Sequence, residues 1–107
     1  MPKILHPKDP AWTGDLEAAM VAFSNRAHNQ IIRYLTGHGP VRRGDIVEAV
    51  SASEASVALH LITLEDSGVI VVDTVLGQRH GRAPRYSVDD QRVNELLATL
   101  QDYLLNH

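Results

Sequence analysis

The stretch that decides the fold reads Gly44-Asp45-Ile46-Val47-Glu48-Ala49-Val50, then Ser51-Ala52-Ser53, then Glu54-Ala55-Ser56-Val57-Ala58-Leu59-His60-Leu61-Ile62-Thr63-Leu64-Glu65-Asp66-Ser67-Gly68. Its first part sets Ile46, Val47 and Val50 along one edge of a short helix, expected over about Arg43 to Val50. A small polar turn follows. Ser53 is then placed to accept a hydrogen bond from the free N–H groups that open the next helix. That helix carries Val57, Leu61 and Leu64 at helical spacing with His60 beside them, and Gly68 ends it.

Beyond Gly68 the period changes. Val69-Ile70-Val71-Val72-Asp73-Thr74-Val75 is rich in β-branched side chains, which are stiff at χ1 and favour strands. Leu76 to Pro84 reads as a glycine- and arginine-bearing loop. Arg85-Tyr86-Ser87-Val88 returns as a second strand with Tyr86 and Val88 on one face. A polar turn between two short helices, followed directly by a β-hairpin, is the arrangement of a winged helix-turn-helix.

Working outward, Leu16, Ala19, Met20 and Phe23 predict a helix over Asp15 to Phe23, with Asp15 as its N-cap. A second helix is expected from Ser24, with Ala27, Ile31, Tyr34 and Leu35 on one face. Gly37, Gly39 and Pro40 stop it. The last helix, Asp90 to Leu105, sets Val93, Leu96, Leu97, Leu100 and Leu104 on one side. Residues 1–13, with three prolines in the first ten, read as an irregular arm. The expected architecture is one mainly α (α+β) domain over residues 14–107: a winged helix-turn-helix with a two-stranded wing.

The 107 residues carry a net charge of −3, mildly unfavourable for nucleic acid, but the distribution matters more than the sum. Arg79, Arg82 and Arg85 fall within Leu76 to Tyr86, a stretch with no acid, and Arg42 and Arg43 form a second cluster. The absence of cysteine excludes disulfides and thiolate metal sites. No apolar run approaches the ~20 residues of a membrane span, and the N-terminus lacks the apolar core of a signal peptide, so a cytoplasmic protein without membrane contact is expected. The six histidines show no metal-ligand spacing, and no metal site or other cofactor is expected. Gly37-His38-Gly39-Pro40 follows a helix and lacks the lysine of a phosphate-binding loop, so it reads as a turn. Ser56 and His60 lie one turn apart with no third group to orient the imidazole. No catalytic residue is expected.

The run from Gly44 to Val50 and the run from Ser53 to Ile70 resemble the helix-turn-helix of the ArsR family of bacterial repressors. Gly81-Arg82-Ala83-Pro84-Arg85-Tyr86-Ser87-Val88 is similar to wings of ArsR- and MarR-like regulators. The resemblance implies a transcriptional regulator, with the Ser53–Ser67 helix in the major groove of double-stranded DNA, the wing along the minor groove, and the terminal helices joining a homodimer. Candidate DNA-binding residues are Arg42, Arg43, Ser53, Ala55, Ser56, Leu59, Ile62, Thr63, Gln78, Arg79, Arg82 and Arg85. Candidate dimer residues are Leu16, Met20, Leu96, Leu97, Leu100 and Leu104, because one domain has few faces on which to bury two terminal amphipathic helices. The chain departs from the family in two ways. It lacks the cysteines of metal-sensing members and their Asp/His/Glu set on the last helix. Its recognition helix also points Leu59 and Ile62 outward, where polar or basic readers are usual. These two side chains suit thymine methyl groups, a protein-binding patch, or scattered surface. A winged helix used as a protein-interaction module, or a phage or plasmid architectural DNA-binding protein, are the alternative readings.

Overall fold

A computed structural model describes residues 9–74 and 83–106. The elements run α1 (Gly14–Ala22), α2 (Arg26–Gly37), β1 (Val41–Arg42), α3 (Arg43–Ala49), α4 (Glu54–Ser67), β2 (Ile70–Val72), β3 (Arg85–Val88) and α5 (Asp90–Leu104). The loop expected at Leu76 to Pro84 lies almost wholly outside the described residues, and Gln78, Arg79 and Arg82 lie outside with it.

Capping sets the helix starts. Thr13, not Asp15, caps α1: its hydroxyl accepts from the Leu16 N–H, and Asp15 stands in the first turn. Asn25 caps α2 through the His28 N–H, so the helix expected from Ser24 begins at Arg26. Ser53 and Asp89 cap α4 and α5 in the same way, accepting from the N–H groups of Ser56 and Arg92. Each cap satisfies one of the donors that a helix start leaves orphaned. Gly68 closes α4 at φ 88°, a left-handed conformation that glycine adopts without cost. A Cβ there would also press within 3.2 Å of the Arg92 side chain.

The sheet is three-stranded and antiparallel, in the order β1-β3-β2. The expected hairpin is its β2–β3 half, with Ile70 opposite Val88, Val71 opposite Ser87 and Val72 opposite Tyr86. The two-stranded wing expected from the sequence therefore gains a third strand, with Val41 opposite Tyr86 and Arg42 opposite Arg85. β2 is shorter than the β-branched run suggests. Asp73 nonetheless continues toward β3, its N–H donating to the Arg85 carbonyl at 3.1 Å and its carboxylate accepting from the Arg85 N–H at 2.9 Å.

One core joins the helices to the sheet, with Ala19, Ile31, Leu35, Ile46, Val57, Leu61, Leu64, Ile70, Tyr86 and Leu96 all buried in it. α1 packs against α5 and α4. Two expected dimer residues are corrected by this packing: Leu16 and Leu96 are fully buried within the single chain and offer a partner no surface. Arg92 ties the same junction from outside the apolar core. It donates to the Ser67 carbonyl at 3.1 Å and to Asp15 at 3.2 Å, joining the end of α4 to the start of α1. The described part of the arm is also anchored. The Trp12 ring meets Tyr103 edge-on at 5.4 Å, and the Tyr103 hydroxyl donates to Asp9 at 2.9 Å. No single helix among the described residues is long and apolar enough to cross a membrane.

Candidate nucleic-acid interface

The chain direction turns by 113° between α3 and α4, within the ~90–120° of helix-turn-helix pairs. Val50 closes α3 with its N–H on the Ile46 carbonyl, and its buried side chain seats the turn in the core. α3 therefore braces α4 from one side while Val57, Leu61 and Leu64 fix it from below. Among the described residues no element packs on the opposite face. Ala55, Leu59, Ile62 and Asp66, spaced by four, three and four residues, share that outward face and are all exposed. Leu59 is 67% exposed and Ile62 53%, unusual values for large apolar side chains. Ser56 and Thr63, expected among the DNA-binding residues, lie half-buried at the flank of this stripe. The Thr63 hydroxyl donates back to the Leu59 carbonyl at 3.2 Å. Ser53, though exposed, spends its oxygen as the cap.

Arginines stand at the end where α4 begins. Arg43, first residue of α3, reaches Glu54 in the opening turn of α4 at 3.5 Å. Both side chains are largely exposed, so the pair contributes at most about 1 kcal/mol and opens readily. Arg42 is exposed in β1, and among the described residues no acid pairs with its guanidinium. Arg85, on the neighbouring strand opposite Arg42, is held by Asp73 at 3.1 Å. The sheet thus brings Arg42 and Arg85 side by side at the base of the wing. That juxtaposition depends on β1, which the sequence pattern does not announce.

The inner flank of α4 carries His60, whose ring meets that of His28 on α2 edge-on at 4.7 Å. His28 is buried, and its Nδ1 faces the Val21 and Ala22 carbonyls at 3.1 and 3.3 Å, at the end of α1. Burial disfavours the charged form of His60 and lowers its pKa from the ordinary 6.5; the neighbouring His28 adds to the effect. Among the described residues no three histidine, aspartate or glutamate side chains gather as a metal site.

α5 exposes a second set of apolar side chains. Leu97 and Leu104, seven residues apart, are 46% and 64% exposed, and Leu105 continues past the helix end. Leu100 and Val93 form their half-buried shoulder, and Met20 of α1 is likewise half-buried.

Solved structures share this arrangement, and three of them serve as examples. One, described as a possible transcriptional regulator for arsenical resistance, superposes at a TM-score of 0.64 with 21% identity, covering 86% of this chain and 85% of its own. An ArsR-like transcriptional regulator from Rhodococcus sp. RHA1 gives 0.66 with 22% identity, over 86% of this chain and 81% of its own. A third, an ArsR family transcriptional regulator, gives 0.66 at 20% identity, over 87% of this chain and 98% of its own. The fold is the ArsR-like winged helix. No family model matches the chain, and no curated protein matches it in sequence.

In the terms of that fold, α3 and α4 are the helix-turn-helix and β2–β3 is the wing. Arg42, Arg43, Ser53, Ala55, Leu59 and Ile62 collect along α4 and at its N-terminal end, with Arg85 at the wing base. Ser56 and Thr63 stand back from this surface. The arginines are visible in the sequence; the hold of Asp73 on Arg85 is not. The only signal for it is the spacing of the two across a hairpin, which the strand register alone turns into a pair.

Proposed function

We propose that the chain is a sequence-specific transcriptional regulator, acting as a repressor, that binds double-stranded DNA as a homodimer in the cytoplasm. One observation carries the reading: α4 is braced on its inner side and free on its outer side, with Arg42 and Arg43 at the end that begins it. In helix-turn-helix proteins the N-terminal residues of the second helix meet base edges, and flanking cations hold the phosphates. The wing arginines Arg79 and Arg82 add charge next in sequence to the motif, and Arg82 is assigned to the minor groove. The homodimer is assigned to α5, through Leu97, Leu100 and Leu104, with Met20 of α1 at its margin.

Fluorescence anisotropy on duplexes selected from a random pool, over a salt series, tests the DNA reading. If about six phosphates are neutralised across a dimer, log affinity falls against log salt with a slope near −5. A flat salt dependence, or no binding at low salt, refutes it. The exposed Leu59 and Ile62 favour one second reading, a protein-interaction module, which requires a salt-insensitive complex with a protein partner.

A further inference from the structure

We propose that α4 reads its target by the 5-methyl groups of thymine in the major groove, with Leu59 and Ile62 as the specificity-determining residues. This rests on the DNA-binding reading above and goes on to name what the helix recognises. Guanine and adenine edges are read by Arg, Lys, Asn or Gln, whose paired hydrogen bonds match the base pattern. None of these residue types occurs anywhere in Glu54–Ser67. From Ala55 to Leu64 there is no Asp, Glu, Lys or Arg.

Of the polar groups that remain near the start of the helix, Glu54 pairs with Arg43 and Ser56 lies half-buried at the flank. The Thr63 hydroxyl is bonded to the Leu59 carbonyl, and His60 faces His28 on the inner flank. Past Glu54, which pairs with Arg43, the outward stripe of α4 offers Ala55, Leu59 and Ile62, hydrocarbon alone until Asp66. In the major groove the feature that hydrocarbon recognises is the thymine methyl group. Two large side chains with an alanine are also far fewer than the ~20–30 residues a side that a stable protein interface engages. The arginines at the N-terminal end of α4 supply the charge that a groove demands and an apolar protein surface does not. The acid of the stripe, Asp66, lies at the opposite end of the helix, where phosphate approach is not required.

The experiment replaces thymine by deoxyuridine, one position at a time, in the duplex selected from the random pool. This removes a methyl group and leaves every hydrogen-bonding group and charge in place. The expected loss for the parent chain is about fourfold per contacted thymine, the worth of one buried methyl-sized group, with the salt slope unchanged. Leu59→Ala is expected to bind the thymine and deoxyuridine duplexes equally at one position, and Ile62→Ala at another. Leu59→Met, which keeps an apolar reach, is expected to retain the discrimination. These side chains are exposed, so the variants keep the fold, and far-ultraviolet circular dichroism checks it. Selected sites without thymine, equal binding of both duplexes by the parent, or undiminished discrimination by Leu59→Ala each overturn the proposal. If the parent binds duplex with a steep salt slope but ignores the methyl groups, only this inference fails. If it binds no duplex at low salt, the regulator reading fails with it. Self-association abolished by Leu59→Ala, without duplex binding, assigns the stripe to a protein interface instead.

Discussion

α4 and α5 both expose leucines, yet their surroundings differ in ways that decide what those leucines are for. On α4, Leu59 and Ile62 stand in an uncharged stretch, Arg43 pairs with Glu54 at the start of the helix, and the helix packs against α1, α2 and α3. On α5, Leu97 and Leu104 continue a stripe whose other half, Leu96, is already in the core. Their helix carries Asp90, Glu95 and Asp102 and only one arginine, Arg92, which is committed to Ser67, Asp15 and Glu95. A phosphate backbone approaching α5 meets Asp90, Glu95 and Asp102; one approaching the start of α4 meets Arg42 and Arg43 against the single acid Glu54. Apolar exposure alone does not identify a partner. The charge around it does.

The largest effect is expected from charging the α5 face. Leu97→Glu with Leu104→Glu places four carboxylates in the seam of a homodimer, and an unpaired carboxylate is among the costliest groups to bury. Sedimentation is expected to show a dimer for the parent at about ten micromolar and a monomer of unchanged helix content for the variant. A parent that sediments as a monomer removes α5 from the interface. Within one chain, the two neighbours Leu96 and Leu97 sharpen the contrast further, when both are tested in chains kept monomeric by Leu104→Glu. Leu96→Ala empties a fully buried site and is expected to cost about 2–5 kcal/mol of stability in urea unfolding. Leu97→Ala is expected to change stability by no more than about 0.5 kcal/mol. Equal costs for the two positions would mean that the α5 face is packed within the chain.

Those two leucines also show what is legible in the sequence. Periodicity identifies the apolar side of the helices, because side-chain spacing is fixed by helix geometry. It does not say whether the chain itself or a second copy covers that side, so Leu16 and Leu96 are expected at an interface and lie in the core. Helix starts shift for a similar reason: Thr13 and Asp15 are both able to cap, backbone position selects Thr13, and the cap at Asn25 moves the start of α2 from Ser24 to Arg26. β1 leaves no trace because two residues, Val41 and Arg42, are too few to show alternation. Its existence depends on β3, far along the chain. The helix-turn-helix is the most legible part, since its helices, turn and cap are all local.

Smaller effects test the charged end of α4. Arg42→Ala is expected to weaken duplex binding by about 1 kcal/mol per protomer. It is also expected to flatten the salt slope by about one unit for each phosphate that Arg42 neutralises. Glu54→Gln moves the other way. It removes a carboxylate near the phosphates and releases Arg43 from its 3.5 Å ion pair, so affinity is expected to rise by a few-fold at low salt and converge with the parent at high salt. Anisotropy on the same selected duplex measures both. Should Glu54→Gln leave binding unchanged across the salt range, phosphates do not approach that end of the helix.

The smallest effect belongs to the inner flank of α4, and its sign follows from linkage. Burial and the nearby His28 lower the pKa of His60 in the folded chain below the ordinary 6.5 of the unfolded one. Between the lowered folded value and 6.5 the unfolded chain therefore binds more protons than the folded chain, and stability rises with pH across that window. Well above 6.5 both states hold a neutral imidazole and the contribution is complete; it is lost as the pH falls through 6.5 and the folded value. The measurement is the urea midpoint of the parent and of His60→Gln from about pH 8 down to about pH 5, a range that brackets the ordinary histidine value. The difference between the two chains is expected to be constant above pH 6.5 and to shrink or reverse below it, because glutamine has no proton to gain. Since His60 keeps part of its surface in solvent, the change is expected to be modest. The outward stripe makes the control: Leu59→Ala carries no titrating group, and its stability difference from the parent should be flat over the same range. A difference for His60→Gln that is equally flat means that the His28–His60 contact does not hold α4 against α2 through the neutral imidazole.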